Sequence, residues 1–333
     1  MTPVEISRLL LKAEDALSDG NYTKAGSMAE RALQADRDSV RARLILAEIA
    51  LDENRVEEAG ALAQEILTRD AGSVGGGLIA AEVALIEDDP ERVIELCTPI
   101  LEGDPNDLRA QHLMAEALLD LGVVQEAARL FENILEEDEE HIDAWLGLGV
   151  CRFELGEYDQ CLACMDELES LEPELADVHF YRSLCLERQG DMTAARRAFN
   201  RAHDMSPEEF PRPLDIGLEE FERLVLVVVD KLPDNLREHM TGVQVTIEDL
   251  PAEVDLRTGE PPLSPRVWGT FRGVAQGEGQ KVVPSELVLY RRNLLRTPRT
   301  RDELTSDIHD TLVAELQTLL NMPLESELPS SEV

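Results

Sequence analysis

The chain has 333 residues, of which 43% are hydrophobic and 30% are charged, a composition typical of a globular protein with about two domains. Its 69 acidic residues outnumber 31 lysines and arginines and give a formal net charge of −38 at pH 7. Because this charge repels phosphate backbones and anionic lipid, we expect no nucleic acid and no membrane among the partners. Cationic partners remain compatible with it.

Targeting and disulfide signals are weak in this sequence. The first 20 residues place acidic side chains within the apolar run and lack a small-residue cleavage site, which is atypical of a signal peptide. The longest apolar run covers only residues 224–229, whereas a membrane helix needs roughly 20 residues. The five cysteines are odd in number and lie in helical sequence. We therefore expect reduced thiols and a cytoplasmic location.

A turn residue recurs every 34 residues through the first two thirds of the chain. The six turn positions are Gly20, Asn54, Asp88, Gly122, Gly156 and Gly190. Small residues precede each turn by seven positions, at Ala13, Ala47, Ala81, Ala115, Gly149 and Ser183, and follow it by five, at Ala25, Ala59, Val93, Ala127, Cys161 and Ala195. Small residues on two neighbouring helices let their backbones approach closely. The spacing therefore predicts six helix pairs that stack in series.

This pattern resembles the tetratricopeptide repeat over roughly residues 5–208, and residues 144–173 match it best. The resemblance implies a mainly α fold in which residues 1–210 form an α-solenoid of six helix-turn-helix repeats. The third repeat is the weakest, because Gly75, Gly76 and Gly77 each cost about 1 kcal/mol relative to alanine inside a helix. Either the array has a soft point there or the helix begins after these glycines.

The tetratricopeptide resemblance also implies a concave groove, lined by the first helix of each repeat, that binds a peptide or protein. Six residues before the turn, the first four repeats carry Glu14, Glu48, Glu82 and Glu116. Apolar neighbours are expected on the same surface at Leu44, Leu51, Leu78 and Leu85. The carboxylates favour a basic or amide-rich partner. The alternatives are that glutamate is only a good helix former and that the leucines belong to the core.

Cys161 and Cys164 form a CxxC pair, a spacing found in redox sites and in half of many zinc sites. The sequence has no second CxxC pair. Because Cys161 occupies a small-residue position of its repeat and Cys164 lies one helical turn later, we expect both thiols to be packed in the core.

The 34-residue spacing ends after Pro207, where a proline-rich stretch predicts a junction. Residues 211–333 are predicted to form a small α+β domain with a short polar tail. Its pattern predicts, in chain order, a helix at about 218–232, strands near 243–247, 267–271 and 286–290, and a helix at about 301–320.

These elements resemble the minimal zincin-like metallopeptidase family over about residues 218–322. The resemblance rests on "FERLVLVVVDKLPDNLREHMTGVQVTIEDLP", on "PSELVLYRRNLL" and on "DELTSDIHDTLVAELQTLL". It includes a strand with Gly269, Phe271 and Gly273 that is similar to the family's substrate-side strand. The alternative is an unrelated mixed domain, because the last helix alone is an ordinary amphipathic pattern.

Catalysis in that family requires the motif HExxH, in which two histidines bind zinc and the glutamate is the general base. The matching positions here hold Ala314, Glu315 and Thr318, and Leu324 stands where a further carboxylate ligand is expected. The resemblance therefore implies a degenerate peptidase with no zinc and no other cofactor, in which Glu315 is a vestigial base.

An atypical metal site at Asp307, His309 and Asp310 is the remaining way to bind a metal. It would need a different geometry, because His309 faces about 140° away from position 314 on an ideal helix. The sequence thus predicts a non-catalytic interaction adaptor. The alternative is an active zinc-dependent peptidase or hydrolase with an atypical metal site.

Five arginines follow the last predicted strand closely. They are Arg291, Arg292, Arg296, Arg299 and Arg301. Guanidinium groups form charge-assisted hydrogen bonds to carboxylates, so one prediction is that this cluster docks on the acidic repeats within the chain. The alternative is a solvated edge that prevents unwanted strand pairing.

Overall fold

The computed structural model describes residues 1–240, 242–257, 262–275 and 282–320. The chain divides into two compact units. The first contains Met1–Leu155 and Asp159–Pro173, and the second contains Gly156–Tyr158 and the chain from Glu174 onward. The sixth helix pair therefore groups with the C-terminal elements, although the end of the repeat spacing predicts a boundary at residue 210.

Residues 3–205 form twelve helices arranged as six helix-turn-helix pairs, which confirms the mainly α class. The first five pairs are α1 (Pro3–Ser18) and α2 (Tyr22–Ala35), α3 (Val40–Asp52) and α4 (Val56–Arg69), α5 (Val74–Ile86) and α6 (Pro90–Gly103), α7 (Leu108–Asp120) and α8 (Val124–Glu137), and α9 (Ile142–Glu154) and α10 (Tyr158–Leu171). The sixth pair is α11 (Ala176–Arg188) and α12 (Met192–Met205).

The backbone at the six turns explains the 34-residue spacing. All six turn residues have positive φ, from 56° at Asn54 to 86° at Gly190. Glycine adopts this left-handed region without steric cost, and asparagine and aspartate tolerate it better than other residues. Each turn lets the chain reverse between two helices. The backbone conformation of the turn therefore explains why glycine, asparagine or aspartate recurs there every 34 residues.

Small residues on both helices of each pair are buried, as predicted. Ala13, Ala47, Ala81 and Ala115 on the first helices have no exposed surface, and Ala25, Ala59 and Ala127 on the second helices have none either. The fifth pair has a glycine, Gly149, at the position where the first four pairs have alanine. A Cβ atom added at Gly149 would lie 2.3 Å from the methyl carbon of Met165.

The three glycines of the third repeat lie inside α5, so the prediction of a later helix start is wrong. The Ser73 hydroxyl caps this helix by accepting a hydrogen bond from the Gly76 N–H at 3.3 Å. A Cβ atom at Gly75 would lie 2.9 Å from Leu44 Cδ2, and one at Gly76 would lie 2.5 Å from Ile66 Cγ2. Gly75 and Gly76 therefore make room for side chains of the second repeat.

The second unit continues with five helices and three strands in the described residues. These are α13 (Leu218–Lys231), α14 (Asp234–His239), β1 (Gln244–Glu248), α15 (Glu253–Leu256), β2 (Gly269–Ala275), β3 (Val282–Tyr290), α16 (Arg291–Leu294) and α17 (Arg301–Leu320). The order of long helix, three strands and long helix agrees with the sequence prediction. No described helix in the chain is long and apolar enough to cross a membrane.

The described strands form one mixed sheet in the order β1-β3-β2. β1 runs parallel to β3 and β2 runs antiparallel to it, so that Val245 and Phe271 both lie opposite Leu287. The β2 to β3 register shifts between Arg272 and Gly273. β3 is therefore the central strand, and its side chains alternate between two covered faces.

One face of the sheet is covered by the two long helices. Its core contains Phe221, Val225 and Val228 of α13, Leu287 and Leu289 of β3, and Leu304, Ile308, Leu312 and Leu316 of α17. The apolar positions of α17 follow one another at four-residue spacing, which places them on one side of the helix. This packing fixes the rotation of α17 and thereby decides which way Ala314, Glu315 and Thr318 face.

Candidate functional site

The glutamate ladder, formed by Glu14, Glu48, Glu82 and Glu116, lies on adjacent first helices. Contacts link α1 to α3, α3 to α5, and α5 to α7, and each glutamate is half-buried. Glu14 accepts two hydrogen bonds from the Arg41 guanidinium of the next first helix. Glu48 and Glu82 share Arg109, whose Nη1 lies 2.7 Å from Glu48 Oε1. Three of the four carboxylates are thus already neutralised within the array.

The repeat spacing explains which glutamates are paired. Arg41 follows Glu14 by 27 residues, and Arg109 follows Glu82 by the same distance. The equivalent position after Glu48 is Gly75, which has no side chain, so Glu48 uses Arg109 instead. The equivalent position after Glu116 is an aspartate. Sequence reasoning missed this rule, although the 34-residue register was sufficient to reveal it.

Glu116 is the ladder carboxylate that has no cation in the described part of the chain. At the position where Arg41 follows Glu14 and Arg109 follows Glu82, Glu116 is followed by Asp143. Burial is the main cause that raises the pKa of Glu116 to about 7, and the charges of Asp120 and Asp143 contribute to that rise. The array therefore contains one acidic point, formed by Glu116, Asp120 and Asp143, where a cation supplied by a partner would relieve repulsion.

The four leucines predicted beside the ladder lie between repeats. Leu78 is a core residue with 7% of its surface exposed. Leu44 and Leu51 pack against the core of the second and third repeats, and Leu85 packs against that of the third and fourth. Most of their apolar surface packs against other residues of the array. Only the part of each side chain that remains exposed could contact a partner as predicted.

The CxxC pair is buried in α10. All five cysteines of the chain are free and buried. Burial raises the pKa of Cys164 to about 12, which keeps the thiol protonated and suppresses its reactivity. These surroundings are those of core thiols, as the repeat position of Cys161 predicts.

The positions that match the zinc ligands of the zincin-like motif lie on α17. Ala314 and Thr318 are on its exposed side, and the Thr318 hydroxyl donates to the Ala314 carbonyl at 2.9 Å. A methyl group has no lone pair for zinc, and a hydroxyl bound to its own helix is a poor ligand. The residues described at this site therefore do not fit a zinc ion. Leu324 lies outside the described residues.

The alternative metal site at the start of α17 is a local surface contact. His309 Nδ1 lies 3.1 Å from Asp310 Oδ1, the carboxylate of its neighbour in sequence. Burial raises the pKa of Asp307, and the charges of Asp310 and Glu303 add to that shift. Within the described ranges, no group of three or more histidines, cysteines, aspartates or glutamates is placed to hold a metal ion.

Glu315 is turned away from solvent toward the sheet. Burial raises its pKa to about 7, and a hydrogen bond from the Phe271 backbone N–H of β2 opposes this rise. The side chain therefore sits half-buried between α17 and the edge strand β2, and its carboxyl group titrates near neutral pH. Its hydrogen bond with β2 is suited to hold the helix against the sheet.

The arginines that follow β3 pair within the second unit. Arg292 and Arg296 lie 2.9 Å and 2.6 Å from the two oxygens of Glu187 on α11. Arg291 pairs with Asp249 at 2.6 Å. Arg299 donates to the Glu208 carbonyl at 2.6 Å, and Arg301 pairs with Glu220. Arg292 and Arg296 thus connect α11 of the sixth pair to the segment that follows β3, and Glu187 is the acidic repeat residue that both contact.

A half-buried charge cluster around the buried Asp255, on the second face of the sheet, was not predicted. Arg272 of β2 donates to Asp255 Oδ1 at 2.8 Å and to both Glu248 oxygens at 2.7 and 3.0 Å. The Tyr290 hydroxyl donates to Asp255 Oδ2 at 3.0 Å. The Arg272 hydrogen bonds hold the pKa of Asp255 below its ordinary value. This cluster joins α15 to all three strands, and its members are far apart in sequence.

Comparisons with known proteins match different segments of the chain to two kinds of protein family. Residues 10–74 and 124–180 match family models of the tetratricopeptide repeat. Residues 240–325 match the family model described as zincin-like metallopeptidase. A search of curated proteins finds no match. The chain thus combines tetratricopeptide repeats with a zincin-like segment, as its residues predict.

Solved structures share the helical array at low sequence identity. PilW, described as a type IV pilus biogenesis factor, is 16% identical with a TM-score of 0.54, over 62% of this chain and 96% of that one. Pseudomonas aeruginosa pilF is 15% identical with a TM-score of 0.52, over 61% and 92%. A chain of the Cut9–Hcn1 hetero-tetramer is 15% identical with a TM-score of 0.54, over 60% and 40%. These likenesses show the fold alone.

Proposed function

We propose that this chain, in which tetratricopeptide repeats precede a zincin-like segment, is a protein-interaction adaptor that has no peptidase activity. The array supplies the surface that binds the partner. The zincin-like segment keeps the elements of its family without the zinc ligands. The free and buried cysteines support a reducing compartment such as the cytoplasm.

The observation that carries the adaptor proposal is the unpaired acidic point at Glu116. Arg41 and Arg109 neutralise the other three glutamates of the ladder, whereas Glu116 is surrounded by further carboxylates. A lysine or arginine of a partner peptide would replace the missing arginine of the 27-residue pairing rule. The partner is therefore a peptide or protein segment with a basic side chain at this point.

Selection of peptide ligands for the full-length protein tests this proposal. Random twelve-residue peptides displayed on phage are expected to yield binders enriched in lysine and arginine. Combined Glu116→Gln and Asp143→Asn substitutions are expected to weaken the best binder about 10- to 100-fold, since a charge-assisted hydrogen bond contributes about 1.5–3 kcal/mol. Fluorescence anisotropy of the labelled peptide measures the affinity.

The matched control for this experiment combines Glu136→Gln with Glu137→Gln. Both are exposed glutamates on α8, the second helix of the pair that contains Glu116, so these changes remove two carboxylates from outside the ladder and are expected to alter affinity less than twofold. Selected peptides without basic residues, or an equal loss of affinity in the control, would refute the role of the acidic point.

The second half of the proposal is that the zincin-like segment has no peptidase activity. It is supported by the residues that stand at the zinc-ligand positions of α17. With Ala314 and Thr318 in place of histidines, the glutamate between them has no metal-bound water to activate. Its raised pKa instead means that the folded chain keeps this carboxyl group protonated up to about pH 7. Glu315 therefore affects stability and not catalysis.

Unfolding as a function of pH measures this role of Glu315. The unfolded chain releases this proton near pH 4.5, whereas the folded chain retains it to about pH 7. Between these values the folded state binds more protons, so its stability falls as pH rises. Glu315→Gln is expected to be more stable than the parent above pH 7 by about 1–3 kcal/mol.

One tryptophan lies in each unit, so Trp145→Phe leaves Trp268 as a probe of the second unit in these measurements. The same titration is repeated with excess zinc. A zinc ion bound to the folded protein would raise its stability by about 2.7 kcal/mol at one hundred times the dissociation constant, and we expect no change. A zinc-dependent rise that disappears in Glu315→Gln would contradict a non-catalytic segment.

A further inference from the structure

A cavity of about 600 Å³ lies in the second unit, between the sixth helix pair and the segment that follows β3. Five arginines line it: Arg196, Arg212, Arg291, Arg292 and Arg296. Glu187 is the acidic residue that lines it, and Phe199 and Leu295 contribute apolar surface. The lining of this cavity is therefore strongly cationic, although the chain as a whole has a net charge of −38.

The internal ion pairs leave much of this positive charge uncompensated. Glu187 is shared by Arg292 and Arg296, and Asp249 is shared by Arg291 and Arg292. Two carboxylates thus serve three guanidinium groups, and none of these pairs uses the other two arginines. Asp204, 3.9 Å from Arg212, is the third carboxylate paired with these arginines in the described residues, so five guanidinium groups face three carboxylates and the cavity keeps a positive excess.

Three arginines at the cavity keep donor atoms with weak partners or none in the described residues. Arg196 is exposed and has no ion pair. The nearest carboxylate to Arg212 is that of Asp204 at 3.9 Å, and both side chains are about two thirds exposed. The Nε atom of Arg296 is buried with no hydrogen-bond partner. A buried donor without a partner is costly, so an acceptor supplied by a ligand would lower the free energy of this site.

We infer that this cavity binds an anionic small molecule through an oxyanion group, either a phosphate or a carboxylate. Arginine is suited to both, because its planar group donates two parallel hydrogen bonds to two oxygens. The volume falls in the range of small-molecule sites, so it is larger than an inorganic anion needs. Phe199 and Leu295 provide the apolar wall for the rest of the ligand.

Isothermal titration calorimetry of the full-length protein tests the inference with pyrophosphate and citrate as probes. We expect one site per chain for at least one probe. Combined Arg196→Gln and Arg212→Gln substitutions are expected to weaken binding at least about tenfold, the effect of about 1.4 kcal/mol. Both side chains are exposed, so these changes leave the core intact, and circular dichroism verifies the fold.

A charge-matched control separates site binding from general attraction. Arg31 and Arg129 are exposed arginines of the first unit, and changing both to glutamine removes the same charge with an expected effect below twofold. Tighter pyrophosphate binding identifies a phosphate ligand, and tighter citrate binding identifies a carboxylate. The inference is overturned if neither probe binds at millimolar concentration, or if the two double variants lose affinity equally.

Discussion

Replacing Arg272 with leucine is expected to destabilise the second unit by about 3 kcal/mol, the lower end of the range for breaking a buried ion pair. Asp255, which is only 6% exposed, would lose its guanidinium partner, and Glu248 would lose two hydrogen bonds. Glu286, 3.6 Å from the Arg272 guanidinium, would add repulsion. Three carboxylates would then remain on one face of the sheet without a cation.

Urea unfolding followed by Trp268 fluorescence in the Trp145→Phe background measures this loss. The control is Arg257→Leu, which breaks an exposed ion pair with Glu253 and is expected to change stability by less than about 0.5 kcal/mol. Adding Asp255→Asn to Arg272→Leu is expected to recover part of the loss, because it removes the buried charge. No recovery would mean that the loss has another cause than uncompensated charge.

Replacing Gly147 with alanine is expected to destabilise the first unit by about 1–3 kcal/mol, the usual cost of overpacking a core. Inside a helix this substitution normally stabilises by up to about 1 kcal/mol. Here the added Cβ atom would lie 2.3 Å from Cζ of Phe131, whose ring is fully buried. The steric clash is therefore expected to make the substitution destabilising, although helix propensity alone would make it stabilising.

Trp145 fluorescence in a Trp268→Phe background measures this change during urea unfolding. Gly103→Ala is the matched control, since its Cβ atom would have nothing within 4 Å, and it is expected to stabilise by about 0.5–1 kcal/mol. Phe131→Leu shortens the ring side chain, so combining it with Gly147→Ala is expected to cost less than the sum of the two single changes. Additive effects would exclude the contact with Phe131 as the cause.

The helix pairs were predictable because their signal is local. A positive φ at every turn restricts the residue types there, and close helix contact restricts the residues at Ala13 or Ala47, so both leave a trace at fixed spacing. The strands were predictable for the same reason, from short runs of apolar and β-branched residues. Their register was not, because the shift between Arg272 and Gly273 leaves no pattern within β2 itself.

The candidate site was predictable only in part. The column of four glutamates follows from the repeat, and so does its pairing with Arg41 and Arg109 once the 27-residue spacing is known. The charge of Glu116 does not follow from spacing, since its raised pKa depends on burial and on two other carboxylates. The cluster around Arg272 joins residues from four elements, which only the tertiary fold brings together.

Arg109 also has a mechanical consequence for the array. Its guanidinium pairs with Glu48 and Glu82 at once. It therefore links three successive first helices, α3, α5 and α7, and resists their separation. The next two first helices, α7 and α9, have no such link within the described residues, because Asp143 lies across from Glu116, and Arg152 of α9 pairs instead with Glu132 of α8. The first helices of the fourth and fifth repeats are therefore expected to separate more readily than those held by Arg109, beside the point where we expect the partner's cation.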